Sequence, residues 1–223
     1  MGVIVAISQV SDGSMLNRDD VLDSQIFKYR DIFLKKHDIS ILQTTRLRGN
    51  YQRKDYCRYF ELRAPFKDHG MIDNNVPIAD ALITTESGHA LFLTIADCIG
   101  ATFYDSTKHI LTVAHLGRHS LEQNGGYQIV EYLKNTHGVN ANKLQVWLTP
   151  APGKDVYPIY KLDNKGMKEV IFEQLEKAGI DHANIIDNPA DSTKDLVYFS
   201  YSEFLKGDQS QKGSYALVAM MTD

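Results

Sequence analysis

The chain has 223 residues, of which 43% are hydrophobic, 10% aromatic and 23% charged, a composition typical of a soluble globular protein that can bury a continuous core. Its 24 basic and 28 acidic residues give a formal net charge of −4 at pH 7, and no basic cluster is longer than Arg46-Leu47-Arg48, so nucleic acid is not an expected partner. The sequence has neither a run of roughly 18 apolar residues nor the pattern of a secretory signal, which predicts a cytoplasmic protein without a membrane partner.

The first part of the chain alternates short apolar runs with turn-forming residues. These patterns predict a strand at 3–8, a helix at about 20–37, strands at 39–45 and 56–62, and a turn-rich loop at 65–78. The densest apolar region follows and consists of four short β-rich runs separated by turns that contain Gly or Asp. We expect these four strands to lie next to each other in one sheet. They cover residues 79–84, 90–95, 100–104 and 110–114.

The remaining pattern adds two helices and three strands. They are predicted at about 120–136 (helix), 144–148 (strand), about 164–178 (helix), 185–186 (strand) and 214–221 (strand), while 195–205 fits either type. Strands in runs with three helices among them favour an α+β or mixed α/β fold over a strictly alternating parallel one. Because no repeat or linker interrupts the chain, we predict a single layered domain over 1–223, with a mixed β-sheet and flanking helices.

Two side chains that can carry chemistry stand where predicted strands stop. Cys98 follows the run at 90–95, and His115 ends the run at 110–114. Their spacing leaves room for one strand and two turns, so both can lie at one sheet edge, where a thiolate and an imidazole form a soft-metal site or a nucleophile–base pair. A metal with an open coordination position needs a third ligand, for which His69 is the candidate. Taken alone, each residue is better explained structurally, Cys98 as a packing cysteine, His115 as a hydrogen-bonded histidine and His69 as a solvated loop histidine.

The central segment closely resembles the core of the YfiH-like family, which is also called the laccase-domain or polyphenol-oxidase family. The resemblance is carried by ADALIT at 79–84, TIADC at 94–98 and VAH at 113–115, where the family reads ADALIT, TADC and VAAVHAGWRG. It extends more weakly over most of the chain. Asn17 is similar to the end of an early Ser-Leu-Asn, and the segment at 199–201 to a late Tyr-Ser-Tyr-Arg, in which Ser202 replaces the Arg.

The resemblance implies a mixed α/β layered domain with a His, Cys, His metal site that holds zinc rather than copper. It also implies phosphorolysis of a purine nucleoside, namely adenosine, inosine or methylthioadenosine, with deamination in some members. A purine nucleoside and phosphate are then the expected partners of a monomer or homodimer. Cys98 and His115 match the second and third ligands. For the first ligand, His69 matches a His-Gly pair, whereas the alternative alignment of residues 43–49 leaves no histidine.

A zinc ion on His69, Cys98 and His115 would polarise a water or a phosphate oxygen. Arginine suits the binding of the phosphate. The predicted catalytic residues are Cys98, His115 and Asp97, and the predicted substrate-binding residues are Arg30, Arg118, Asn17 and Tyr157.

Two other functions would use the same residues. Without a metal, Cys98 as nucleophile and His115 as base would form a thiol amidohydrolase or deamidase. The segment at 115–120, which lacks the Trp of HAGWRG and shifts its Arg to position 118, and Ser202 both favour a catalytically inactive binding member. Metal content, thiol reactivity and nucleoside turnover separate the three hypotheses.

Overall fold

Two β-sheets packed face to face form the centre of the protein in the computed structural model, which describes residues 2–20, 22–49, 54–63 and 66–223. The strands are β1 (Gly2–Ile7), β2 (Thr44–Leu47), β3 (Tyr59–Glu61), β4 (Ala81–Thr84), β5 (Ala90–Ile95), β6 (Ile99–Asp105), β7 (Ile110–Leu116), β8 (Gln145–Leu148), β9 (Ile185–Asp187) and β10 (Tyr215–Thr222). The α-helices are α1 (Ser24–Lys35), α2 (Arg118–Glu122), α3 (Gly125–His137), α4 (Met167–Lys177) and α5 (Tyr201–Lys206).

Both sheets contain parallel and antiparallel pairs. The smaller sheet has the order β1-β10-β5-β2, in which β2 runs parallel to β5 and the other pairs are antiparallel. The larger sheet has the order β3-β4-β7-β6-β8-β9, with parallel pairs only at its two edges. The predicted fold class, mixed α/β with layered sheets and flanking helices, is therefore confirmed.

The two sheets stack because successive side chains of β5 and β10 point to opposite faces of the smaller sheet, and both faces are apolar. Phe92 of β5 and Val218 of β10 pack towards α1, whereas their neighbours Leu93 and Leu217 pack towards the larger sheet. The opposite face of the larger sheet packs against α2, α3 and α4. The layers therefore run helix, small sheet, large sheet, helices, and the central strands are buried on both faces.

The prediction that the four apolar runs form one sheet is wrong for one of them. β4, β6 and β7 are neighbours in the larger sheet, but β5 belongs to the smaller one. All four strands are buried on both sides, so their apolar patterns do not tell which sheet each joins. As a result, the chain crosses from one sheet to the other directly before Cys98.

Several element boundaries also differ from the predicted ones. The helix predicted at 120–136 is two helices, because Asn124 between them has a left-handed backbone with φ of 58°. A 3-10 turn over Ile41–Gln43 delays the strand predicted at 39–45. The first helix begins at Ser24 after its cap Asp23, and residue 21 of the predicted helix and residue 65 of the predicted loop lie outside the described residues. Within the described ranges, no helix has both the length and the apolar character needed to cross a membrane.

Candidate functional site

Cys98 lies in the short link between β5 and β6, at the junction of the two sheets. Asp97 in this link adopts a left-handed backbone with φ of 62°, which helps to turn the chain from one strand into the next. The Asp97 carboxylate accepts hydrogen bonds from the Ser202 backbone N–H at 2.6 Å and from its hydroxyl at 2.8 Å. Two sheets and the first turn of α5 therefore fix the position of Cys98.

His115 approaches Cys98 because β6 and β7 form an antiparallel pair. In this pair Gly100 lies opposite His115, so the same register places Cys98 next to Gly117. A Cβ atom at Gly117 would lie 3.1 Å from Cys98 Sγ and 3.1 Å from His115 Cε1. Glycine thus leaves the space in which both side chains meet, and the structure brings together the two residues that end the predicted strands.

Burial controls the protonation of both groups. It raises the pKa of the Cys98 thiol to about 12, with a further rise from Asp97 that Arg18 and Arg118 oppose. It lowers the pKa of His115 to about 4, against the attraction of Asp80 and with the repulsion of Arg18. At neutral pH the site therefore holds a neutral thiol and a neutral imidazole instead of a thiolate–imidazolium pair.

His115 lies at the boundary of two clefts. One, the aromatic cleft, has a volume of about 200 Å³ and is lined by Tyr56, Asp80, Cys98, His115, Arg118 and Tyr157. The other, the arginine cleft, has a volume of about 260 Å³ and is lined by Arg18, Arg46, Arg48, Leu93, Thr94 and His115. A ligand beside His115 can therefore reach aromatic rings on one side and guanidinium groups on the other.

The aromatic cleft combines two tyrosine rings with a cation. The Tyr56 ring stacks on His119 with ring centres 4.9 Å apart. Arg118, the first residue of α2, places its guanidinium carbon 5.6 Å from the centre of the Tyr157 ring. Rings and a guanidinium group are suited to a flat aromatic ligand that also carries polar groups.

Asp80 lines the same cleft but is already engaged. It accepts hydrogen bonds from Arg58 Nε at 2.9 Å and Nη2 at 3.2 Å, and its backbone carbonyl accepts the His115 N–H at 2.8 Å. This bidentate ion pair neutralises the carboxylate and fixes the end of β7. Asp80 therefore acts as a positioning residue for His115.

The structure gives Arg30 a packing role in place of the phosphate-binding role predicted for it. Its side chain is buried, and it donates hydrogen bonds to the carbonyls of Met15 at 2.9 Å, Met71 at 3.0 Å and Gly70 at 3.3 Å. These bonds tie α1 to the segment before it and to the loop that follows residue 65. Arg118 is the predicted arginine that reaches the cleft.

Asn17 shapes a loop instead of lining either cleft beside His115. Its amide donates to Asp23 at 2.9 Å, and its oxygen accepts from the backbone N–H groups of Asp19 at 3.0 Å and Asp20 at 3.2 Å. The next residue, Arg18, lines the arginine cleft. Asn17 therefore holds the loop that presents Arg18.

The predicted metal triad is not assembled. In the part of the chain that the structure describes, no three His, Cys, Asp or Glu side chains could hold a metal ion together. His69 lies beside β2, where its carbonyl accepts the Arg46 N–H at 2.9 Å and its ring packs edge-on against Phe66. Arg48, two residues further towards the end of β2, lines the arginine cleft with His115. Among the described residues, His69 therefore does not join Cys98 and His115 in a group that could hold a metal ion.

Four residues of the two clefts are not among the predicted site residues, namely Arg18, Arg46, Arg48 and Tyr56. Arg46 and Arg48 are too few for a nucleic-acid surface, yet their i, i+2 spacing in an extended segment puts both on one side of the chain. Arg18 is next to Asn17, which the resemblance had singled out. No sequence pattern marked Tyr56.

Comparisons with known proteins agree with this architecture. The family described as "multi-copper polyphenol oxidoreductase laccase" matches residues 37–169. The crystal structure of the hypothetical protein YfiH from Bacillus licheniformis superposes with a TM-score of 0.83 at 17% identity, covering 99% of this chain and 93% of that one.

Two further solved structures show the same fold. YlmD from Geobacillus stearothermophilus has a TM-score of 0.85 at 16% identity and covers 100% of this chain and 93% of its own. The protein NMB0706 from Neisseria meningitidis has a TM-score of 0.70 at 13% identity, with coverage of 99% and 95%. No curated protein sequence matches the chain significantly.

Proposed function

The chain belongs to the YfiH-like, or laccase-domain, family, and on this premise we propose that it is an enzyme that acts on purine nucleosides beside Cys98 and His115. The proposed reaction is phosphorolysis of adenosine, inosine or methylthioadenosine. A phosphate oxygen attacks C1′ of the sugar, and the bond between C1′ and the purine nitrogen breaks. The electron pair of that bond goes to the purine, which leaves with a proton from the site or from water.

One observation carries the proposal: the aromatic cleft places two tyrosine rings, a guanidinium group and His115 around one space. A purine can stack on Tyr56 or Tyr157, because its flat π-system matches theirs. Arg118 and His115 supply donors to its ring atoms or to the sugar.

Cys98 and His115 serve this reaction as neutral hydrogen-bonding groups. The imidazole can donate one hydrogen bond and accept another, and the thiol can donate one weakly. A cysteine hydrolase would need a thiolate near neutral pH. The raised pKa of Cys98 therefore favours phosphorolysis over the thiol amidohydrolase alternative.

Zinc, the cofactor that the resemblance implies, does not fit the residues of the site. Among the described residues, Cys98 and His115 supply two donors, the nearby Asp80 is held by Arg58, and Arg18 acts on both Cys98 and His115 as a positive charge. A catalytic zinc site requires three protein ligands. We therefore assign no step of the reaction to a metal.

Turnover of nucleosides tests the proposal. Purified protein is incubated with each of the three nucleosides, with and without inorganic phosphate, and the free base and the sugar phosphate are quantified by chromatography. We expect base release only with phosphate, in equal amount to the sugar phosphate, and unchanged by a metal chelator. Tyr157→Ala and His115→Ala should each lower kcat/KM about tenfold or more, since they lose contacts to the substrate.

His182→Ala is the matched control, because His182 is an exposed histidine that lines neither cleft. It should keep the wild-type kcat/KM. Release of base without phosphate would identify a hydrolase instead, and release of ammonia from adenosine a deaminase. If the folded protein turns over none of the nucleosides, the proposal fails and the chain is a binding member.

A further inference from the structure

Three arginines line the arginine cleft, on the second side of His115. Arg18 comes from the loop before α1, Arg46 from β2, and Arg48 from the residue after β2. In the described ranges none of the three forms an ion pair with a carboxylate, whereas Arg58 beside the other cleft does. The cleft therefore concentrates positive charge that the described residues do not neutralise by direct contact.

The position of Arg46 is fixed before any ligand arrives. It is 3% exposed, and its Nε donates to the Gly70 carbonyl at 2.6 Å. Burial and the neighbouring charge of Arg48 lower the pKa of Arg46 to about 10, against the attraction of Asp73, so it remains a cation at neutral pH. The repulsion between Arg46 and Arg48 costs free energy, which a bound anion would offset.

The charge of the cleft selects against a metal cation and for an oxyanion. Three guanidinium groups that line one cleft repel a divalent cation, whereas they suit a phosphate, which guanidinium groups bind through charge-assisted, often bidentate, hydrogen bonds. His115, which lines the same cleft, can add one more donor to a phosphate oxygen. The volume of about 260 Å³ accommodates a phosphate group together with part of a sugar.

We propose that Arg18, Arg46 and Arg48 form an oxyanion site of the phosphate class beside His115, on the side of that residue away from the aromatic cleft. The inference rests on the proposed function in one respect, since this oxyanion would be the phosphate that attacks the nucleoside. The nucleoside in the aromatic cleft and the phosphate in the arginine cleft then meet at His115. The phosphate is either free or attached to a nucleotide.

Direct binding measurements test the site without turnover. Inorganic phosphate and adenosine 5′-monophosphate are each titrated by calorimetry into the wild type and into Arg18→Gln, Arg48→Gln and Arg63→Gln at constant ionic strength. Arg18 and Arg48 are exposed, so glutamine removes their charge without opening the core, and thermal melting checks the fold. Arg63 is equally exposed and lines neither cleft, which makes it the matched control.

We expect Arg18→Gln and Arg48→Gln each to weaken phosphate binding about tenfold or more, because each removes a charge-assisted contact, and Arg63→Gln to bind like the wild type. Adenosine 5′-monophosphate that binds more tightly than inorganic phosphate would identify a nucleotide as the source, and the reverse order would identify free phosphate. The inference is overturned if the wild type binds neither ligand, or if all four proteins bind with equal affinity. It is also overturned if zinc binds the wild type at Cys98 and phosphate does not.

The two proposals fail separately. If Arg48→Gln loses phosphate affinity but no variant releases a purine base, the oxyanion site stands and the proposed reaction fails. If the base is released with phosphate but Arg18→Gln and Arg48→Gln keep the wild-type KM for phosphate, the reaction stands and the oxyanion site fails.

Discussion

At the scale of single residues, burial decides what Cys98 and His115 can do. Both stand at strand ends, where a nucleophile–base pair is plausible from sequence. In the fold, however, burial raises the pKa of Cys98 to about 12 and lowers that of His115 to about 4, so both groups are neutral at pH 7. The same two residue types in a more solvated site would exchange a proton and form a reactive thiolate.

The rate of alkylation distinguishes a neutral Cys98 thiol from a reactive thiolate. In a Cys57→Ser background, which leaves Cys98 as the only cysteine, we expect iodoacetamide to label Cys98 at pH 7–8 more slowly than it labels a free model thiol, because little thiolate is present. The reverse single variant, Cys98→Ser, reports on Cys57, whose pKa burial raises to about 11. Faster labelling of Cys98 than of the model thiol would contradict the neutral site and revive the thiol hydrolase hypothesis.

At the scale of elements, the link between β5 and β6 is held by a helix from the far end of the chain. Asp97 is 4% exposed and bonds two groups of Ser202 in the first turn of α5, where a carboxylate also interacts favourably with the helix dipole. Its second carboxylate oxygen has no hydrogen-bond partner among the described residues. The geometry therefore gives Asp97 a positioning role.

Three substitutions separate what the two hydrogen bonds to Ser202 and the left-handed backbone at Asp97 contribute to stability. Asp97→Ala should lower the unfolding free energy by about 1–3 kcal/mol, because it removes both hydrogen bonds and a residue type that tolerates a left-handed backbone. Ser202→Ala removes one of the two bonds and should cost about 0.5–1.5 kcal/mol. Asp97→Asn keeps a side-chain oxygen that accepts hydrogen bonds and a residue type that tolerates a left-handed backbone, so it should lower the unfolding free energy least. Urea unfolding measures the free energy of each variant. Equal losses in all three variants would contradict the predicted order.

At the scale of the whole molecule, the packing of two sheets between helices buries a histidine that is accommodated in the fold only in its neutral form. His89 at the start of β5 is 0% exposed, and its Nε2 lies 2.8 Å from the Thr45 hydroxyl. Burial, with help from Lys67 and against Glu86, lowers its pKa from 6.5 to about 4. In the unfolded chain this histidine binds a proton at a higher pH than in the folded one.

Because of His89, the folded state becomes less stable as the pH falls below 6.5. Above pH 6.5 His89 is neutral in both states, and between pH 6.5 and 4 the unfolded state takes up the proton first, so stability falls as the pH falls. We expect the free energy of unfolding to decrease over this interval, and His89→Gln to flatten part of the decrease. His182→Gln, at an exposed position, should leave the slope unchanged. A wild-type slope that persists fully in His89→Gln would contradict the assignment.

The sequence by itself determined the local features of this protein. Apolar periodicity located most strands and helices, and the positions of Cys98 and His115 at the ends of strands placed them at one edge. These features depend on residues close together in the chain. The motifs at 79–84, 94–98 and 113–115 were sufficient to identify the family, which the match over 37–169 confirms.

Only the tertiary structure decided which distant residues complete the site. Both sheets bury both faces of their central strands, so the apolar pattern of β5 could not say which sheet it joins. The predicted ligand His69 lies along β2, where its carbonyl accepts the Arg46 N–H, whereas Arg18, Arg46 and Arg48 line the cleft beside His115. The residues that line a cleft are set by packing between elements that are distant in the chain, so local sequence patterns do not reveal them.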